Sequence, residues 1–94
     1  MPKHPVTVQG FDSSLRELAQ LVCRLRYDKL ESFFYYCADE LGTQANADYK
    51  KGRKKLSGKL DLLTNSIAFG VVPQVDAIFN LCKPHMKDEL ASFR

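Results

Sequence analysis

The sequence predicts an all-α domain, a bundle of four main helices with a short fifth helix or a kink after Pro84. Three observations favour this fold. Apolar residues recur at spacings of three and four through most of the chain, as in helices that bury one face. Ninety-four residues make a single domain, and a hydrophobic content of 45% can fill one modest core. Residues 1–10 are expected to form a flexible arm before one domain of residues 11–94.

The first helix is predicted to begin after Ser14 and to end near Arg26. Ser14 and Glu17 have the S-x-x-E spacing of a capping box, in which the hydroxyl caps the first turn. The inner face consists of Leu15, Leu18, Ala19, Val22 and Leu25.

A second helix is predicted from Asp28, as its N-cap, to Leu41. Gly42 suits the position just after a helix, so a break is expected there. The alternative is one continuous helix as far as Ile67, because the apolar phase is not lost at Gly42. That helix would be about 57 Å long, longer than a compact domain of this size unless the chain dimerises. The inward stripe of the second helix is Leu30, Phe34, Cys37 and Leu41.

A long central helix is predicted from Thr43 to Phe69, with leucines inward and lysines in water. Gly52 lies on its inward stripe, where it is expected to admit a close neighbouring helix. Gly70 is expected to end the helix. The stripe consists of Ala45, Tyr49, Gly52, Leu56, Leu60, Leu63 and Ile67.

Two prolines shape the predicted C-terminal part. Pro73 fits the first position of a fourth helix, where its missing N–H has no cost. Val75, Ile78, Phe79 and Cys82 form the buried face of that helix. Pro84 is expected to kink or divide the chain, since it removes a backbone donor. The phase continues through Met86, Leu90 and Phe93, which predicts a short terminal helix.

Six cations are crowded into residues 50–59, which hold no acidic residue. One interpretation is a solvated helix face. The other is a surface for an acidic partner, either a protein or nucleic-acid phosphate. Lysines supply charge without reading bases, so nucleic-acid binding would be non-specific and sensitive to salt. The cluster consists of Lys50, Lys51, Arg53, Lys54, Lys55 and Lys59.

Tyr35 and Tyr36 follow two phenylalanines on the second helix. Their rings either cap the edge of the core or form part of an interface, where tyrosine is enriched. An acidic, aromatic second helix beside a basic third helix would suit a two-fold dimer. The tyrosines and the basic cluster are therefore the candidate partner-binding residues.

No catalytic, cofactor-binding or metal-binding residue is assigned from the sequence. A zinc site would need Cys23, Cys37, Cys82 and His85, which lack the usual paired spacing. The three cysteines are instead expected to be small buried hydrophobic residues. A Cys82–His85 nucleophile pair has no third residue to orient it.

These patterns together favour a small non-enzymatic protein-interaction module, an adaptor or regulator, that forms a homodimer. The alternative is a nucleic-acid-binding regulator that uses the basic helix face of residues 50–59. The N-terminus leads into no apolar run, so no signal peptide is expected. No window approaches the length of a membrane span, so no membrane partner is expected. A cytoplasmic location is expected because the odd cysteine count suits a reducing compartment.

Overall fold

The computed structural model describes residues 4–85, which form three helices and no strand. Helix α1 is Leu15–Cys23, and helix α2 is Tyr27–Lys50. Helix α3 is the 32-residue run Lys54–His85. It is α-helical over Lys54–Ser66 and Val72–Cys82, with a π turn at Ile67–Val71 and a 3₁₀ turn at Lys83–His85. The all-α class is confirmed, whereas the arrangement of four or five helices is not.

Helices α2 and α3 form an antiparallel hairpin, and α1 lies beside Phe33 and Phe34 of α2, with an apolar cavity between them. The capping role predicted for Ser14 is confirmed, because the Glu17 backbone N–H donates to its Oγ at 3.2 Å. The predicted N-cap role of Asp28 is wrong, because α2 begins at Tyr27 and its N-cap is Arg26. Asp28 lies in the first turn and accepts two hydrogen bonds from the Arg26 guanidinium, at 2.6 and 2.7 Å.

The chain reverses at Gly52 and not at Gly42, so the predicted break and the predicted 43–69 helix are both wrong. Gly52 has φ +85°, in the left-handed region that glycine adopts without strain. Its N–H donates to the Tyr49 carbonyl at 3.0 Å, and the Arg53 N–H donates to the Asp48 carbonyl at 2.9 Å. These two bonds define a Schellman motif, which satisfies the last carbonyls of α2.

Gly42 lies inside α2, opposite Thr64 of α3. A Cβ built on Gly42 would be 3.7 Å from the Thr64 Cγ2, which is ordinary van der Waals contact. A small residue therefore keeps the two helices close at this level. The helix–helix contact is made of small side chains over most of its length: Ala38, Gly42 and Ala45 from α2, and Ser57, Thr64 and Ala68 from α3.

Gly70 does not end a helix, so the expected separate fourth helix is also wrong. The chain continues through the π turn, in which the Val72 N–H donates to the carbonyl of Ile67, five residues back. Pro73 follows immediately and has no N–H, and its ring would crowd the carbonyl of Phe69 in a regular α-helix. The wider turn accommodates this proline without breaking the helix. The expected helix around Met86, Leu90 and Phe93 lies outside the described residues.

The hairpin has a small core for its length. Among residues 4–85, the buried apolar residues are Leu30, Ala38, Ala45, Val75 and Phe79. The accessible surface is 7701 Å², whereas a compact monomer of this mass exposes about 5,500 Å². The radius of gyration is 16.4 Å, against about 12 Å for a compact domain of this size. Within the hairpin itself, five large apolar side chains of α3 are between 47% and 78% exposed: Leu56, Leu62, Leu63, Phe69 and Leu81.

Candidate interaction surfaces

The basic residues predicted as a binding site lie at the tip of the hairpin. We call this surface the basic tip; it consists of Lys50, Lys51, Arg53, Lys54, Lys55 and Lys59, all exposed. The sequence placed them along the outer face of one central helix. The turn at Gly52 instead divides them between the end of α2 and the start of α3, which concentrates the charge at one end of the molecule.

Several interactions hold the basic tip in place. The Arg53 Nη1 lies 3.1 Å from the Asp48 Oδ1, in an exposed ion pair. The Lys54 ammonium lies 5.7 Å from the centre of the Tyr49 ring, a cation–π contact. Lys54 and Lys55 occupy the first turn of α3, where no acidic side chain and no side-chain cap is present. Cations there oppose the helix dipole, so the tip concentrates positive potential that an anionic partner would relieve.

Tyr35 and Tyr36 lie on a surface separate from the basic tip. Their side chains are 57% and 68% exposed, and their rings meet edge to face at 6.1 Å between centroids. Along α2 they are about 21 Å from Lys50. The structure therefore does not bring the tyrosines and the cations together into one site.

A surface that the sequence did not predict is the apolar face of the hairpin. Residues 37 and 41 of α2 each precede a residue of the helix–helix contact by one position. So do residues 56, 63 and 67 of α3. One position along a helix is about 100° of rotation. Because α2 and α3 run antiparallel, the residue just before a contact residue points to the same side of the hairpin in both helices. These residues therefore share one side of the hairpin. The apolar face consists of Phe34, Cys37, Leu41, Leu56, Leu60, Leu63 and Ile67.

The predicted inward orientation of the leucine stripe on α3 is wrong in part. Leu56 and Leu63 remain 48% and 47% exposed, while Leu60 and Ile67 are half-buried. The reason is that Ser57, Thr64 and their small neighbours occupy the seam against α2. The leucines are therefore displaced about a quarter turn to its side.

The opposite side of the hairpin is a polar cleft of about 380 Å³. Asp39, Thr43 and Asn46 of α2 each follow a contact residue by one position, and Asp61 and Thr64 contribute from α3. The Thr64 Oγ1 is buried here without a hydrogen-bond partner. Tyr35 and Ala68 also line this cleft, so it combines polar and apolar groups and lies on the side of the hairpin opposite the apolar face.

The sequence contained a signal for this arrangement. Small residues recur at spacings of four and three in α2, at 38, 42 and 45, and a similar set recurs in α3, at 57, 64 and 68. Such stripes let two helix backbones approach closely. One position away from the small residues, the leucines form a more regular stripe. Large apolar residues are the usual marker of a buried face, so the sequence predicts that the leucines, and not the small residues, contact the neighbouring helix.

The cysteines differ in their exposure. Cys37 and Cys82 are half-buried, whereas Cys23, expected to be buried, is exposed at the end of α1. Burial raises the pKa of the Cys37 thiol above 9.0, which keeps it protonated at neutral pH. Within residues 4–85, no three of the histidine, cysteine and carboxylate side chains are grouped closely enough to hold a metal ion.

Helix α3 is long and apolar enough to cross a membrane, judged by length and composition alone. This corrects the expectation that no segment approaches such a length. Only 11% of the 18-residue stretch of α3 that is apolar enough to span a membrane is buried. Helices from the cores of soluble proteins meet the same criterion, so the result shows chiefly that α3 carries more apolar surface than α2 covers.

Comparison of the chain with protein-family models, with curated proteins and with solved structures finds no significant match.

Proposed function

We propose that this protein is a small, non-enzymatic, helical interaction module that acts as an adaptor or regulator and self-associates through its apolar face. The observation that carries the proposal is the half-exposed line of leucines beside the hairpin seam. Leu56 and Leu63 expose nearly half of their surface while lying next to half-buried Leu60. Contiguous apolar surface of this kind marks a binding site more often than a solvated helix does.

The energetics favour covering this face. Burying the exposed half of each leucine contributes about 1 kcal/mol, from the value for a complete leucine side chain. A two-fold contact would bury Leu56 and Leu63 of both copies, together with the exposed parts of Leu60 and Ile67. Two hairpins joined in this way form a four-helix bundle, whose core is built from apolar residues of facing helices.

The first experiment is sedimentation equilibrium of the full chain at micromolar concentration. We expect a dimer for the wild type and a monomer for Leu63→Glu, because the carboxylate would be buried at the centre of the contact. The matched control is Leu62→Glu. Leu62 is 60% exposed and lies about 140° around α3 from Ser57, away from both α2 and the apolar face. That variant should remain a dimer.

Circular dichroism of each variant shows whether the hairpin still forms. A clean wild-type monomer across the concentration range would remove self-association from the proposal. Equal weakening by Leu62→Glu and Leu63→Glu would show that another surface makes the contact. Tyr35→Ala with Tyr36→Ala tests the tyrosine pair as that other surface.

A second candidate function, nucleic-acid binding, is favoured by the basic tip. Six exposed cations within ten residues, five of them crowded around one turn, would bind phosphate without reading bases. The test is a mobility shift with generic duplex and single strands, repeated with Lys50, Lys51, Arg53, Lys54 and Lys55 changed to Glu. Binding that this variant does not weaken, or no binding at low salt, would contradict the candidate.

A protein partner fits α3 better than a lipid bilayer does. Asp76 and other polar residues interrupt its apolar part, and a carboxylate at the centre of a spanning helix costs roughly 3 kcal/mol on insertion scales. We therefore propose a cytoplasmic location, which also suits the exposed thiol of Cys23. Fractionation of the native cell into soluble and membrane pools tests this.

A further inference from the structure

The polar cleft between α2 and α3 has the size of a small-molecule site. Its volume is about 380 Å³, and pockets that hold small ligands measure about 300–1,000 Å³ and often lie between the helices of a bundle. The cleft lies on the side of the hairpin opposite the apolar face. Neither the proposed self-association nor the basic tip uses this side of the molecule.

The charged residues that line the cleft are both acidic. They are Asp39 of α2 and Asp61 of α3. Both are exposed, and within residues 4–85 neither carboxylate forms an ion pair. Thr43 and Asn46 add a hydroxyl group and a side-chain amide. The cleft therefore favours a cationic ligand that donates hydrogen bonds, because bonds between charged partners are the strongest of this kind.

The two carboxylates are separated along the hairpin. Gly42 faces Thr64 across the helix–helix contact. Asp39 precedes Gly42 by three residues, and Asp61 precedes Thr64 by three. Because the helices are antiparallel, the two acids lie on opposite sides of this level, about 9 Å apart along the hairpin axis. A metal ion holds its oxygen ligands at about 2.0–2.6 Å, so a ligand with two separated cationic groups matches this spacing better than a single ion does.

The rest of the cleft lining includes small apolar groups and one aromatic ring. Ala38 and Gly42 of α2 and Ala68 of α3 leave room for a methylene chain beside them. Tyr35 lies one helical turn beyond Asp39, and its exposed ring can contact a methylene or an ammonium group. The lining therefore matches an alkyl chain that carries ammonium groups at intervals.

A buried hydroxyl oxygen in this cleft lacks a partner. Within residues 4–85, the Thr64 Oγ1 is buried without a hydrogen bond. Buried polar groups are nearly always hydrogen-bonded, so such an exception marks a place where a ligand or a water would supply the bond. Thr64 lies at the level midway between Asp39 and Asp61. An inner ammonium group of a chain that spans the two acids would lie at this level, and a change of χ1 rotamer would turn the oxygen toward it.

We propose that the polar cleft binds a linear aliphatic polyamine, with its terminal ammonium groups at Asp39 and Asp61 and an inner ammonium group at Thr64. Alkylamines are protonated at neutral pH, as the lysine side chain is. The ligand contacts both α2 and α3, so it binds the folded hairpin and not the unfolded chain. Binding therefore also raises the thermal stability of the protein.

The experiment is an NMR titration of the full chain, freed of nucleic acid, with spermidine at low ionic strength. The backbone amide signals of the cleft residues should shift and reach saturation. Butylamine, which has one ammonium group, should bind at least about tenfold more weakly, the loss expected when a hydrogen bond between charged groups is removed. No saturable shift at millimolar spermidine would overturn the proposal. Equal affinity for butylamine would do the same, because it would show that the spacing of the acids is not used.

Two double variants test whether the cleft, and not the net charge, binds the amine. Asp39→Asn with Asp61→Asn keeps the shape of the cleft and should weaken spermidine binding at least about tenfold. The matched control is Glu17→Gln with Glu40→Gln, which changes the net charge equally at exposed positions outside the cleft. It should weaken binding less than about threefold, since exposed charges at a distance are screened. Equal losses in the two variants would mean that spermidine follows net charge and that the cleft is not a site.

Tetralysine distinguishes a polyamine from a basic peptide. Tighter binding of tetralysine than of spermidine, lost in the variant without the two cleft carboxylates, would overturn the polyamine assignment. Leu63→Glu, on the apolar face, should leave the affinity for spermidine unchanged even where it separates the dimer. Failure of self-association and failure of this site are therefore distinguishable results.

Discussion

Ser57 joins the two arms of the hairpin by donating its hydroxyl hydrogen to the carbonyl oxygen of Ala45, at 2.8 Å. Both residues are buried, at 4% and 1% exposure. Replacing Ser57 by Ala should lower the free energy of unfolding by about 1 kcal/mol, the usual net contribution of such a bond. Urea unfolding followed by circular dichroism measures the change.

Ser66 offers a matched control for this prediction. Its hydroxyl also donates to a backbone carbonyl at 2.8 Å, that of Leu62, but within one helix and at an exposed position. Ser66→Ala should change the free energy of unfolding by less than about 0.5 kcal/mol, as surface substitutions usually do. Equal losses for the two variants would mean that the bond between the helices has no special role.

Two glycines of the hairpin should respond to alanine with opposite signs. Gly52 needs its φ of +85° to reverse the chain, so Gly52→Ala should destabilise the fold by about 1 kcal/mol or more. Gly58 lies inside α3, where an alanine Cβ would meet no other atom within 4 Å, so Gly58→Ala should stabilise the fold by up to about 1 kcal/mol through helix propensity. Thermal unfolding of the two variants beside the wild type provides the comparison. Shifts of the same sign would contradict this account of the turn.

The sequence was sufficient for the helical class but not for the roles of Gly42 and Gly52. Gly52 lies on the predicted apolar stripe, whereas Gly42 follows the stripe residue Leu41 by one position. Sequence reasoning assigned Gly42 to the turn and Gly52 to close helix packing, and the structure reverses these roles. What distinguishes the positions is tertiary: Gly42 lies opposite Thr64, whereas Gly52 has nothing within 4 Å of an added Cβ.

The candidate surfaces were predictable to different degrees. The composition of the basic cluster is visible in the sequence, but its position at a hairpin tip depends on the turn at Gly52. The apolar face required knowing that Ser57 and Thr64, rather than Leu56 and Leu63, contact α2. That choice depends on how closely two backbones approach, which periodicity within one helix does not specify.

Thr64 should be a site where removing a polar atom stabilises the protein. Among the described residues, its Oγ1 is the buried side-chain oxygen that lacks a hydrogen-bond partner. Thr64→Val keeps the shape and removes the unsatisfied hydroxyl, so the free energy of unfolding should rise by about 1 kcal/mol. Thr43→Val is the control, because the Thr43 hydroxyl is exposed and donates to the Asp39 carbonyl at 3.1 Å. A loss of stability in Thr64→Val would indicate that a polar ligand or water uses the hydroxyl in the cleft.

Asp28 and Glu31, three residues apart on α2, should give opposite dependences of stability on pH. The hydrogen bonds from Arg26 hold the pKa of Asp28 below its ordinary value of 3.8. Its carboxylate therefore stabilises the fold above pH 3.8, and this contribution is lost as the pH falls through the lower folded-state pKa. Asp28→Asn should lower the melting temperature at pH 7, and the difference from wild type should shrink in acid.

For Glu31, burial and then the charges of Asp76 and Asp28 raise the pKa above its ordinary value of 4.5. The ionised carboxylate therefore destabilises the fold above the raised pKa, and this effect disappears as the pH falls toward 4.5. Glu31→Gln should raise the melting temperature at pH 7 and match wild type in acid. A melting temperature that falls in Glu31→Gln at pH 7 would contradict the inferred crowding of carboxylates between α2 and α3.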